Sequence, residues 1–240
     1  MNGIFQRAAL LLGENALQQA ARTRVILFGV GGVGSWCAEA LIRSGIGHLT
    51  LVDGDKVAES NLNRQLMATH SSLGRYKAEV LLERLLDINP QADIQVRTEM
   101  YGEASAASFP LESYDYILDC IDSRHDKILL IRSACACPGT FFSSMGAALK
   151  ADPTRVRVCD FWEVEGDPLA RTLRKTIRRE GHVPEKRFRC VCSDELLENK
   201  ALPSEQEGRV NGSLVQVTAV FGLTLASLVI RDIMQKTEQA

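Results

Sequence analysis

Apolar and polar positions along this chain follow two rhythms, one of amphipathic helices and one of short buried strands. Residues 4 to about 21 place Ile4, Ala8, Leu11, Leu12 and Leu17 at helical spacing, and Gly13 interrupts them, which predicts two short helices. Val25, Ile26, Leu27 and Phe28 then form an unbroken apolar run, as expected of a parallel strand covered on both faces. A glycine cluster at 29–34 leads into a helix expected over about 35–44 and closed by Gly45. A second buried strand, 49–52, ends at Asp53, and a polar loop follows over 54–63. The next helix is predicted from 77 to about 86, stopped by Asn89 and Pro90. Strands at 94–97, 116–118 and 140–142, with a helix at 127–137 before the last, continue the alternation. The fold class expected is α/β, a doubly wound, mostly parallel, Rossmann-like sheet with right-handed crossovers.

After Met145 the rhythm changes. Residues 155–159 read as an antiparallel addition, 168–179 as a basic helix, and 181–209 as a long, partly mobile crossover loop. The apolar stretch 214–230 contains Gln216, Thr218, Gly222, Thr224 and Ser227 and stops before Arg231 and Asp232. It is shorter and more polar than the about 20 predominantly apolar residues of a bilayer span. A core or interface helix is expected there, with no membrane span. The length of 240 residues suits one domain, a glycine-rich half over about 24–145 and an extension over about 146–240.

Composition changes this picture in two places. Hydrophobic residues at 45% and charged residues at 24% are ordinary for a globular chain. The seven cysteines are an odd number without a signal peptide, so reduced thiols and a cytoplasmic setting are expected. The net charge of −2 conceals a segment, 171–189, with eight basic residues against Glu180 and Glu185. That segment carries +6 and leaves −8 for the remainder, which points to a local polyanion contact.

Candidate chemistry starts at Gly29, Gly31, Gly32 and Gly34, between a strand and a helix, where backbone N–H groups can approach phosphates. Asp53, 19 positions after Gly34 at the end of the second strand, is placed to hold ribose hydroxyls. Alone, this pattern indicates an adenine nucleotide, with NAD as the default. The residues that follow favour a triphosphate: Asp55, Ser60, Asn61, Asn63, Arg64 and Gln65, and then Lys77 opening the next helix. Arg64 and Lys77 are discrete cations that suit the charge of ATP better than a pyrophosphate held by amides. Asp122 and Ser123 follow the fourth strand at the sheet edge where ligands bind, and Asp122 can hold Mg²⁺.

Together, the glycine motif, Asp53, the 61–65 segment, Lys77 and 119–122 resemble the ubiquitin-activating-type adenylation superfamily that includes ThiF and MoeB. The resemblance covers most of the chain, strongly over 24–145, and implies carboxylate adenylation by ATP and Mg²⁺. It implies that Arg64 and Lys77 bind phosphates and that Asp122 binds the metal. It also implies a homodimer in which an N-terminal arginine, here Arg7, reaches the partner's site. Many members that activate carrier proteins have two CxxC pairs for structural Zn²⁺. This chain has Cys135-Ala136-Cys137 and Cys190-Val191-Cys192, a spacing unsuited to that site, and Cys190 and Cys192 read as strand residues.

Segments 35–41, 44–47, 167–170, 190–195 and 217–222 are closer to the tRNA threonylcarbamoyladenosine dehydratase branch. Those enzymes adenylate the threonylcarbamoyl carboxylate on a tRNA adenosine, and the side chain closes on itself with release of AMP. The implied RNA contact is the basic helix, with Arg171, Arg174, Lys175, Arg178 and Arg179. A cysteine desulfurase or sulfur acceptor stays open as a further partner, although Val210, Asn211, Gly212 and Ser213 stand where some relatives have a cysteine. The alternative within the same superfamily is activation of the C-terminal glycine of a ubiquitin-like sulfur carrier.

Overall fold

The structure is a computed structural model that describes residues 3–201 and 211–239. Helices α1 (Gln6–Leu12) and α2 (Glu14–Arg22) precede β1 (Arg24–Phe28), with Gly13 between them. The first half continues as α3 (Gly34–Arg43), β2 (His48–Val52), α4 (Lys77–Ile88) and β3 (Asp93–Arg97). Then come β4 (Tyr116–Asp119), α5 (Arg124–Ala136) and β5 (Thr140–Ser144). The second half adds β6 (Val156–Asp160), α6 (Pro168–Arg179), β7 (Arg189–Ser193) and α7 (Val215–Glu238).

The strands form one seven-stranded sheet in the order β3-β2-β1-β4-β5-β7-β6, parallel except for the β6–β7 pair. Strand order reverses at β1, so the carboxyl ends of β1 and β4 border a crevice, the place where open α/β sheets bind ligands. Successive residues of β1 serve opposite faces. Val25 and Leu27 join the core formed with α3, α4 and α7, whereas Ile26 and Phe28 join the core beneath α5 and α6. This is why β1 is apolar without alternation.

The expected strands and helices of the first half are present, with ends at most three residues from those expected. Two expectations are corrected. The long loop expected over 181–209 contains a strand, because β7 inserts between β5 and β6 and buries Cys190, Val191 and Cys192. The apolar run at 214–230 belongs to a helix that extends to Glu238, long and apolar enough by composition to cross a membrane. Its packing argues otherwise: Val217, Phe221, Leu225, Leu228 and Val229 lie in the core beside α3. The remainder of the expected loop, 202–210, lies outside the described residues.

Candidate functional site

A cavity of about 690 Å³ opens at the crevice. Its floor is the turn between β1 and α3. Gly29 has φ +82°, and a Cβ there would meet the Cys120 carbonyl at 2.8 Å; a Cβ at Gly34 would lie 1.8 Å from the Gly29 oxygen. Only glycine lets this turn close against β4. Gly31 and Gly32 line the cavity beside the start of α3, where unpaired amides and the helix dipole favour an anion.

Asp53, at the end of β2, is buried. Its Oδ2 accepts from the Val30 amide at 2.7 Å and its Oδ1 from the Asp55 amide at 2.9 Å. Burial raises its pKa above the usual carboxylate value, while the Val30 amide, Lys77 and the Asp55 amide oppose that rise. Each oxygen keeps acceptor capacity for a hydroxyl in the cavity. Lys77, the first residue of α4, is buried at the cavity wall and donates to Asp55 Oδ2 at 2.7 Å.

The 60–65 segment divides by role. Arg64 and Gln65 line the cavity, but Ser60, Asn61 and Asn63 do not. The latter build the turn: Asn61 accepts from the Ala58 amide, and Arg64 Nη1 donates to Ser60 O at 2.7 Å and to Asn63 Oδ1 at 2.9 Å. Asn63 also donates to Ser213 O at 3.0 Å, tying this turn to the segment before α7. Gln65 Oε1 is buried and has no hydrogen-bond partner among the described residues, although Gln65 lines the cavity. Unpaired buried polar atoms are costly, so a ligand hydrogen bond there is favoured.

The loop after β4 is held from below by a buried network. Asp119 and Lys127 have fully buried side chains 2.8 Å apart, and Lys127 also donates to Ile121 O at 2.8 Å. Ser143 and the Ile121 amide donate to the two Asp119 oxygens at 2.7 and 3.0 Å. Asp122 and Ser123, which follow this network, line the cavity, and Asp122 is exposed.

Sequence patterns did not reveal the second half of the cavity. Glu99, Met100 and Tyr101 follow β3, and Met145 to Ala148 follow β5, so both groups arrive through the sheet's shared carboxyl edge. Asn211, Ser213 and Thr218 close the wall from before and within α7. Their one available signal is position after a strand, which becomes informative only once strand order is known.

Two expected groups lie elsewhere. Arg7 is exposed on α1 and does not line its own chain's cavity. On α6, Arg171, Lys175 and Arg179 face away from buried Ala170, Leu173 and Ile177, whereas half-buried Arg174 and exposed Arg178 flank that buried stripe. They are not equally free. Arg174 donates to Phe161 O at 2.8 Å, and Arg178 lies 5.2 Å from the centre of the Trp162 ring. The remaining cations of the basic segment have structural partners: Lys186 donates to Cys137 O at 2.9 Å, Arg187 pairs with Asp160 and Glu163, and Arg189 lies over Phe142.

A doubly wound sheet, a glycine-lined anion cradle and a row of buried and exposed carboxylates at one edge define a nucleotide-binding α/β protein. The chain belongs to the ThiF family, whose model matches residues 5–240. It is 35% identical to the Escherichia coli (strain K12) tRNA threonylcarbamoyladenosine dehydratase over 97% of this chain and 94% of that protein. The Bacillus subtilis (strain 168) protein of the same name is 39% identical over 74% of this chain and 70% of its own length. The crystal structure of the E. coli enzyme, TcdA, in complex with ATP superimposes with TM-score 0.88 at 34% identity, covering 98% and 95% of the two chains.

Proposed function

We propose that this chain is an ATP-dependent tRNA threonylcarbamoyladenosine dehydratase, one domain that adenylates the threonylcarbamoyl carboxylate and promotes its cyclisation. The carboxylate oxygen attacks the α-phosphorus of ATP and pyrophosphate leaves. The acyl adenylate so formed carries a good leaving group, and a nucleophile within the same modification displaces AMP. Intramolecular closure has a high effective molarity, so no protein nucleophile is required. The names of the E. coli and B. subtilis relatives and the ATP complex of the E. coli enzyme support this reading.

In this proposal the amides of Gly31 and Gly32 and the cations Arg64 and Lys77 take the phosphates, and Asp53 takes the ribose; Gly29, whose amide donates to Val52 O at 2.8 Å, and Gly34 shape the turn. Gln65 supplies its free oxygen, Asp55 orients Lys77, and Ser60, Asn61 and Asn63 hold the Arg64 turn. Asp122, beside Ser123, would hold Mg²⁺, which neutralises phosphate charge when bound. Arg7 would serve a second copy's site in a homodimer. The proposed setting is the cytoplasm. A cysteine desulfurase or sulfur acceptor, where one docks, acts outside this chemistry.

The observation that carries the substrate assignment is the start of α6 at the cavity. Leu169 lines the wall, and Asp167, the cap of α6, accepts from the Gly146 amide at 3.2 Å and the Ala170 amide at 2.8 Å. The N-terminal end of α6 thus borders the cavity, and the cations further along the helix would offer a track for a phosphate backbone. The test is AMP and pyrophosphate release with threonylcarbamoylated tRNA, compared with a ubiquitin-like carrier protein, in wild type and in Arg171→Ala/Lys175→Ala/Arg179→Ala. These three cations make no hydrogen bond that holds α6 among the described residues, so the fold should persist. The variant should bind tRNA more weakly, with a salt slope flatter by roughly one unit per lost phosphate contact. Product formation with the carrier alone, or unchanged tRNA affinity and slope, would refute the assignment.

A further inference from the structure

The antiparallel pair β6–β7 brings three thiols to one face of the sheet. Cys159 lies directly opposite Cys190, and Cys192 is two residues along β7 on the same side. The Sγ atoms of Cys159 and Cys192 are 2.7 Å apart, so a small side-chain adjustment separates them from the bonding distance of about 2.05 Å. The Cys190 thiol lies beside this pair and also donates to the Cys159 carbonyl at 3.6 Å. Cys159 is partly open to solvent, whereas Cys190 and Cys192 are buried.

We infer that Cys159 and Cys192 form a thiol–disulfide site whose oxidant is a low-molecular-weight disulfide of the glutathione type. Cys159 is the attacking thiol because solvent reaches it. Hydrogen bonds from the Cys190 and Cys192 thiols and the charge of Arg157 favour its thiolate against the opposing effect of burial. The Cys159 thiolate attacks one sulfur of oxidised glutathione, forming a mixed disulfide and releasing one glutathione thiolate, which takes up a proton. Cys192 then loses its proton and attacks Cys159 Sγ, releasing the second glutathione. The protein loses two hydrogens and two electrons, and one oxidised glutathione becomes two reduced molecules. Cys192 needs no solvent access for its step, since its target is already in contact.

The bond would tie the edge strand β6 to β7. Ser193, next to Cys192, accepts from Lys150 at 3.1 Å, and Lys150 lies two residues beyond Ala148 in the cavity wall. Closing a loop of 33 residues should raise Tm by roughly 5–15 °C.

The test treats the full chain with oxidised glutathione, blocks remaining thiols with an alkylating agent, and reads intact mass and non-reduced peptides. The expected product has lost two hydrogens, joins the peptides of Cys159 and Cys192, melts at higher temperature and reverts with dithiothreitol. Cys192→Ser should retain a single glutathione on Cys159, Cys159→Ser should acquire neither, and Cys190→Ala should still form the bond. A fully reduced wild-type chain after treatment would overturn the inference. So would a link through Cys190, Cys135 or Cys137, or a Cys192→Ser variant without the adduct.

Discussion

Lys127→Met isolates what the buried ion pair beneath the cavity contributes. Methionine keeps much of the length and removes the charge, leaving Asp119 fully buried with the Ser143 hydroxyl and the Ile121 amide as its donors among the described residues. Removing one partner of a buried pair costs about 3–5 kcal/mol, because the remaining charge is uncompensated. A chain of this size loses about 2–4 °C of Tm per kcal/mol, so the melting temperature should fall by roughly 6–20 °C. The exposed pair of Arg75 and Glu83 provides the contrast: solvent screens it, so Arg75→Met should move Tm far less than Lys127→Met. Lys127→Met also takes the donor from Ile121 O, so the 120–123 loop should loosen and AMP formation should fall well below the melting range. Pairing it with Asp119→Asn removes the stranded charge and should recover much of the stability. Scanning calorimetry and urea titration read the first effect, and single-turnover AMP release reads the second. A single variant within about 1 kcal/mol of wild type, or a double variant no more stable than the single, would refute the reasoning.

Asp122 is exposed at the cavity, so Asp122→Ala should stay folded by circular dichroism and lose adenylate formation by pyrophosphate exchange. If Arg7 completes the partner's site, mixing Arg7→Ala with Asp122→Ala subunits should restore about one working site per heterodimer; no recovery despite subunit exchange, checked by native mass spectrometry, would refute the cross-subunit role. Burial alone would raise the Glu39 pKa, but hydrogen bonds from Arg84 and Arg43 and their charges lower it below its ordinary 4.5. Its stabilising contribution is thus present above about pH 4.5 and lost as pH falls through the lower folded value, so Glu39→Gln should flatten the acid limb of a stability–pH curve; an unchanged limb contradicts this.

By itself the sequence determined the alternation of strands and helices, because buried parallel strands such as β1 carry unbroken apolar runs and the helices carry periodic ones. It also marked Gly29 to Gly34, Asp53, Arg64, Lys77 and Asp122, since each stands beside an element end at a spacing that phosphate and ribose chemistry demands. Only the tertiary structure separated Arg64 and Gln65 from Ser60, Asn61 and Asn63, because a turn directs neighbouring side chains to opposite sides. Cys190 and Cys192 read as strand residues, but the extent of β7 within the expected loop was hidden because its polar ends, Arg189 and Ser193, blend into the surrounding basic and acidic stretches. Its pairing with distant β5 and β6, not its local propensity, makes it a strand. The same long-range pairing places Met145 to Ala148 at the cavity and Cys159 against Cys192, contacts between positions far apart in sequence that no local periodicity encodes.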